Sequence, residues 1–344
     1  MAVGGEGGAV AGRMSIRDVA RHAGVSVGTV SNVLNKPDLV SPATFEKVQR
    51  VIDELGFVRN DLARQLKMGG GTTLGMIALS VANPFFAELA HACETAAEEN
   101  GCTVVLGSSD QLPDREDRYI DLFEEQRVRG MLIAPLDGMT QRMLRLRRRG
   151  MPLVLFDVHD DGENVCSVAM DGDAGGYLAA RHLIEQGKRR IAFLGGPLHQ
   201  VEDRWGGVKR ACDETPGVTL THIDTVDQTI ADGHAVGDRL AALDNDERPD
   251  GVFAANDLLA LGLMQSLVLA GIRIPADIAI VGYDDIAYAS SAIVPLSSVR
   301  QPRDLLAAEA VRLVLSEYAD PAAHVHEKVR LAPELIVRAS SAAR

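Results

Sequence analysis

The chain has no run approaching the roughly 20 apolar residues that cross a bilayer. Its opening, MAVGGEGGAVAGR, carries neither the basic start nor the leucine-rich core of a secretion signal. A cytoplasmic location is therefore expected, with residues 1–13 a disordered leader and Met14 an alternative start. Cysteine is scarce. Cys93, Cys102, Cys166 and Cys212 show no CxxC and no Cys/His ligand spacing, so reduced thiols packed as small hydrophobes are expected, with no metal. Catalytic patterning is missing too: no GxGxxG follows a strand-like run, and Gly195-Gly196-Pro197 is a poor pyrophosphate cradle. His91, His182 and His199 stand apart from any Ser or Cys nucleophile. Neither enzymatic activity nor a cofactor is expected.

What is present is a chain of 344 residues, 46% apolar and 24% charged, long enough for two or three cores. The formal net charge of −13 argues at first against nucleic acid. Its distribution reverses that reading, because residues 13–68 hold nine basic against six acidic side chains while residues 69–344 hold 26 against 41.

From Ser15 to Gly69 the pattern is of short capped helices; from Thr73 onward, strand-like apolar runs alternate with amphipathic stretches. The runs 74–79, 103–108, 130–135 and 153–157 read as buried parallel strands. A second series, at 190–196, 220–226, 251–256 and 278–285, repeats the layout, which predicts two doubly wound α/β lobes. Such lobes take ligands at the carboxyl ends of their strands. The residues there are Asn83 with Phe85 and Phe86, Asp157, Gly195-Gly196, Asn256 with Asp257, and Asp284 with Asp285. Amides, carboxylates and aromatic rings together suit a hydroxyl-rich ligand, although each strand-end Asp or Asn is equally suited to capping the next helix.

In the N-terminal part, Ser15 is placed to cap a helix to about Ala23, Gly24-Val25 turns the chain, and Ser26 caps a second helix that Asn35-Lys36-Pro37 stops. Ser41 caps a third, with Pro42 in its first turn and Gly56 at its end. Ala20, Gly24, Val25, Val30 and Val33 have the spacing of a helix-turn-helix. The second helix then presents Val27, Gly28, Thr29, Ser31 and Asn32 outward without an acidic residue. Asn32 suits an adenine edge and Val27 a thymine methyl, while Ser26, Thr29 and Ser31 suit phosphate oxygens.

The segments 15–35, 40–67, 255–262 and 274–286 together resemble the LacI/GalR family of repressors, a likeness running from residue 15 to about 340. The resemblance implies a homodimer, or a tetramer, on near-palindromic double-stranded operator DNA. It also implies a core like periplasmic sugar-binding proteins that closes on a small-molecule effector, a monosaccharide or derivative. It puts Val27, Gly28 and Asn32 where the family reads bases, and Leu66 where a hinge leucine wedges into the minor groove. Asn60 would cap that short hinge helix, Ala63 would let two hinges approach, and Arg64 and Lys67 would meet phosphates. In the cleft it assigns Asp157, Arg204, Asn256 and Asp284 to hydrogen bonding, with Phe85 and Phe86 at the edge of the first lobe. Gln228 stands where several sugar-binding members carry a tryptophan; the only tryptophan here is Trp205.

The domains expected are the headpiece at 14–59, a hinge at 60–72 and the core at 73–344. Within the core the first lobe takes about 73–170 and 301–322, the second about 171–298 and 323–341. A solute-binding protein of the same core, or an activator or corepressor-dependent regulator, are the competing functions. The basic run 142–150 is expected to close a helix of the core, where cations meet the helix dipole.

Overall fold

The computed structural model describes residues 14–57, 71–156 and 165–342, in two compact units that divide between Gly70 and Gly71. The leader, the hinge candidates Asn60, Ala63, Arg64, Leu66 and Lys67, and Asp157 lie outside the described residues. None of the described helices is long and apolar enough to cross a membrane.

The first unit holds three helices, α1 (Ile16–Ala23), α2 (Val27–Asn35) and α3 (Pro42–Leu55), with a 3-10 turn at Pro37–Leu39. Each boundary has a local cause. Ser15 and Asp18 close a reciprocal capping box on α1, and Gly24 ends it in the left-handed conformation at φ 60°. Ser26 accepts from the Thr29 N–H at 3.0 Å to start α2. At α3 the expectation needs correction, because the Ser41 hydroxyl bonds Thr44 Oγ1 at 2.9 Å instead of a helix N–H. Pro42 has no N–H to satisfy, so the first turn demands less of its cap. Val19, Ala20, Ala23, Val30, Val33 and Val48 form the buried centre, flanked by half-buried Ile16, Phe45, Ile52 and Leu55. Ser15→Ala is expected to destabilise the isolated headpiece by about 1 kcal/mol, read as an earlier thermal midpoint.

The second unit contains two six-stranded sheets. In chain order the first lobe builds β1 (Thr73–Ala78), α4 (Pro84–Glu99), β2 (Thr103–Ser108), α5 (Pro113–Glu125), β3 (Gly130–Ile133), α6 (Gln141–Arg148), β4 (Leu153–Phe156) and β5 (Cys166–Met170). The second builds α7 (Gly172–Glu185), β6 (Arg190–Leu194), α8 (Leu198–Asp213), β7 (Thr219–Ile223), α9 (Ile230–Ala241), β8 (Gly251–Ala254), α10 (Asp257–Leu269), β9 (Ala279–Asp284), the short α11 (Ala287–Ser291) and β10 (Ser297–Arg300). The chain then returns through α12 (Arg303–Ala319) and β11 (Lys328–Leu331) to the first lobe, and ends on β12 (Glu334–Ile336) in the second.

The strand orders are β11-β5-β4-β3-β1-β2 and β12-β10-β9-β8-β6-β7. In each lobe the first strand lies between the next two, which places a topological switch point at the carboxyl ends of β1 and β6. Three expectations change. β11 pairs in parallel with β5, so residues 328–331 belong to the first lobe and not the second. β12 runs antiparallel to β10, so the second sheet is not wholly parallel. β2 and β7 are edge strands, not buried ones: Val105 and Leu106 are 47% and 41% exposed.

The four cysteines are buried and free, as expected. Burial pushes the Cys93 thiol up to about 12 and that of Cys212 to about 11, which keeps both protonated. The basic run does not merely close α6 but spans it, with Arg142 its second residue; Arg145, Arg147 and Arg148 lie in the last turn, and ion pairs within the lobe hold Arg147 to Glu317, Arg149 to Glu124 and Arg142 to Asp121.

Candidate DNA-reading face and effector cleft

On α2, Val30 and Val33 are buried while Val27, Gly28, Asn32 and Asn35 are exposed and Thr29 and Ser31 half-exposed. The helix thus anchors one stripe and leaves the other to a partner. Ser26 and Thr29 share a hydroxyl bond of 2.9 Å, and Asn35 turns back onto the Ser31 carbonyl at 2.7 Å. Gly28 and Asn32 lie one turn apart on the exposed side. A methyl group at Gly28 would come no closer than 3.6 Å to the Ser26 hydroxyl. Glycine there is not a packing requirement, so Gly28→Ala is expected to raise headpiece stability by about 0.5–1 kcal/mol in thermal unfolding.

In the core, two adjoining chambers of about 430 and 370 Å³ open between the lobes at the strand ends and share Leu79, Phe86, Gln200 and Arg204. Arg204 is at their junction. It rides on α8, lays its guanidinium 3.9 Å from the centroid of the Tyr283 ring and donates from Nη1 to the Ala255 carbonyl at 2.6 Å. Stacking and hydrogen bonding fix the plane of the fork before a ligand arrives.

Asp284 reaches the cleft through a turn that only local anchoring sustains, since it and Asp285 both have positive φ, 102° and 51°. The anchor is Asp285, whose carboxylate, 5% exposed, pairs with Arg300 at 2.8 Å and Arg338 at 2.6 Å. Of the two adjacent carboxylates, therefore, one holds the turn and the other faces the cavity. Asp284 accepts from Gln301 Nε2 at 2.7 Å and, across the lobes, from Asn83 Nδ2 at 3.4 Å. A second bond across the cleft joins Gln200 to Gln111, also at 3.4 Å.

Asn83 and Asn256 line the cleft and cap helices at the same time. Asn83 Oδ1 accepts from Phe85 N at 3.0 Å, and Asn256 Oδ1 from Leu259 N at 2.9 Å while its amide donates to the Gln228 carbonyl at 3.0 Å. Phe85 and Phe86 meet edge to face and are almost wholly buried, so they wall the cavity from the core side. Asp257 stands apart from this group. It is fully buried, accepts from Ile286 N and Ser298 Oγ, and burial pushes its carboxyl well above the usual range. Its work is to hold the loop after β9. Gly195 and Gly196 are likewise structural, because a Cβ on either would come 2.3 Å from Ala255 Cβ or 2.1 Å from Asp224 Oδ1.

Two family models match the chain, the bacterial regulatory proteins of the lacI family over residues 15–60 and the periplasmic binding protein-like domain over 180–341. Whole-chain relatives include the HTH-type transcriptional repressor PurR of Vibrio atlanticus (strain LGP32), 34% identical over 95% of this chain and 98% of its own. The chain belongs to the lacI family. It is a DNA-binding transcriptional repressor with an effector-binding core. Among solved structures, the lac repressor dimer bound to operator and the anti-inducer ONPF is similar, with 28% identity, a TM-score of 0.79 and coverage of 96% and 99% of the two chains. So is the transcriptional regulator CelR–cellobiose complex, at 32% identity, TM-score 0.68 and coverage of 95% and 100%. A LacI family regulator from Enterococcus faecium with bound ribose matches at 28% identity and TM-score 0.71, over 78% and 98%.

Of the residues expected in the lacI-family cleft, Asn83, Phe85, Phe86, Arg204, Gln228, Asn256 and Asp284 line one chamber together. Sequence reasoning missed Gln111, Gln200, Tyr283 and Gln301. Tyr283 sits within an apolar strand run that the sequence displays, and Gln301 follows a strand of four residues, too short for periodicity to register. Trp205 does not line either chamber; its ring packs against Phe193 and His222, with centroids 5.7 and 5.3 Å away.

Proposed function

We propose that this repressor acts as a cytoplasmic homodimer on near-palindromic operator DNA, and that a neutral, hydroxyl-rich effector, a monosaccharide or derivative, sets its affinity. The carrying observation is the lining. Asn83, Gln111, Gln200, Gln228, Asn256 and Gln301 offer carboxamides, each with a donor and an acceptor end, as a sugar hydroxyl also has. Arg204 and His199 are the cationic or potentially cationic groups there, against Asp137, Glu202, Asp203 and Asp284. That balance disfavours a phosphorylated or otherwise anionic effector. The cellobiose and ribose held by two similar regulators support the same class. No catalytic role is proposed.

A hydroxyl inserted at Asp284 accepts from one lobe's amide while donating to the other lobe's carboxylate, which adds a tie between the lobes where the direct Asn83–Asp284 bond is long, at 3.4 Å. The effector then favours one lobe arrangement. Its differential affinity, typically 1–3 kcal/mol, appears at the operator as about a 5- to 150-fold change. Leu66 as minor-groove wedge, with Asn60 and Ala63, completes the DNA side of the proposal.

The test is a thermal-shift panel of neutral monosaccharides, their phosphates and purine bases, followed by operator affinity with each hit; a rise or a fall distinguishes corepressor from inducer. A neutral sugar that shifts both measurements is expected. Response to phosphates or purine bases alone would overturn the effector assignment. Arg204→Ala is expected to weaken the sugar about 10- to 100-fold by removing a charge-assisted bond, with operator binding unchanged in its absence.

A further inference from the structure

Cys166 opens β5, and His324 and His326 occupy the segment joining α12 to β11. They are 158 and 160 positions away in sequence, which is why no ligand spacing is visible there. Folding puts Cys166 Sγ 3.1 Å from His324 Nε2 and 3.5 Å from His326 Nδ1, with all three atoms within 4.8 Å of one another. A tetrahedral zinc ion, with Zn–S near 2.3 Å and Zn–N near 2.0–2.1 Å, separates sulfur from nitrogen by about 3.6 Å and nitrogen from nitrogen by about 3.3 Å. The two sulfur–nitrogen edges, 3.1 and 3.5 Å, are already close to that size, and the nitrogen–nitrogen edge is no longer than 4.8 Å.

The surroundings orient the rings. His324 Nδ1 lies 3.1 Å from Ser316 Oγ, so a proton on Nδ1 is donated outward and the Nε2 lone pair is left facing the sulfur. The Glu327 N–H donates to Sγ at 3.4 Å, while burial pushes the metal-free thiol up, so the ion itself must displace its proton. On the far side, Arg147 Nη2 donates to His326 Nε2 at 2.9 Å, which leaves the ring proton of the metal-free site on Nδ1 toward the sulfur, while Nη1 holds both Glu317 oxygens at 3.0 and 3.3 Å. Cys166 is buried and both histidines are half-buried, so solvent reaches the site from the histidine side.

We propose that Cys166, His324 and His326 form a zinc site with its fourth position open to water. One thiolate and two imidazoles select a borderline-soft ion over magnesium or calcium. On binding, the thiol proton leaves to solvent, the His326 proton passes by way of solvent from Nδ1 to Nε2, and Arg147 gives up the ring while keeping Glu317, so that one proton is released in all. The ion joins the start of β5 to the segment entering β11. Those two strands lead into two of the three crossings between lobes, and zinc joins their starting ends, opposite the ends from which the crossings leave. The proposal is independent of the effector assignment.

The full chain, stripped with chelator and dialysed against zinc, is expected to retain one equivalent per chain, and cobalt in its place to show a thiolate-to-metal charge-transfer band. Cys166→Ser is expected to remove that band, and His324→Gln or His326→Gln to weaken zinc at least 10-fold. Ser316→Ala, which touches no ligand atom of the ion, is expected to cost about 10-fold. Should Cys166→Ser fail to fold, the two histidine variants, checked by circular dichroism without metal, decide the matter. A cobalt complex without the charge-transfer band, no retained zinc, or undiminished affinity in both folded histidine variants would each overturn the site.

Discussion

Gly176→Val is expected to lower the melting temperature of the core by about 10 °C or more and to abolish the effector response in whatever remains folded. At Gly176, on α7, even a Cβ would stand 2.0 Å from the Arg204 carbonyl, and at Gly207, on α8, 1.9 Å from that of Asp173. These obstacles are backbone, so no rotamer change relieves them, and α8 must move away from α7. Arg204 moves with it and leaves its place over Tyr283. Gly206→Ala is the control, because its methyl would meet only the Asp173 carboxylate, at 3.5 Å; it is expected to match the parent or exceed it by up to about 1 kcal/mol. Calorimetry with sugar titration compares the two. Equal melting temperatures would show that the helices can separate without cost to the lobe.

The same crossing shows what the sequence disclosed and what it withheld. Gly172 and Gly176, or Gly233 and Gly237, are visible as spaced glycines, but their partners Gly207 and Gly262 belong to helices that only the fold brings near. Most of the strands were legible because a strand buried on both faces must be apolar throughout. β5, β10, β11 and β12 were not, since strands of three to five residues have too little pattern to separate them from loops, and β11 and β12 are in addition partly exposed edge strands. At the site, the strand-end rule pointed to Asp284 and Asp285 equally. Which of them faces the cavity depends on a left-handed turn secured by Arg300 and Arg338, the latter 53 residues beyond Asp285. The zinc triangle was illegible for the same reason: its residues meet through strand pairing, not spacing. The headpiece was read almost completely, because caps, turn glycines and apolar stripes all act within a few residues of themselves.

That local legibility carries the second large effect, at Asn32. Removing its side chain leaves the headpiece core untouched, since Val30 and Val33 hold α2 from the other face and Asn32 is exposed. With Asn32 bidentate to adenine, Asn32→Ala gives up about 1–3 kcal/mol per half-site, so a dimer engaging two half-sites loses roughly 30-fold or more in specific affinity. The loss is confined to one base position in each half-site, and affinity for unrelated DNA, which rests on phosphates, stays the same. Anisotropy titrations on selected operators and on operators altered at single positions measure both quantities. Equal weakening on operator and unrelated DNA would instead make Asn32 a phosphate contact. Base reading would then fall to Val27, the exposed apolar side chain beside Gly28.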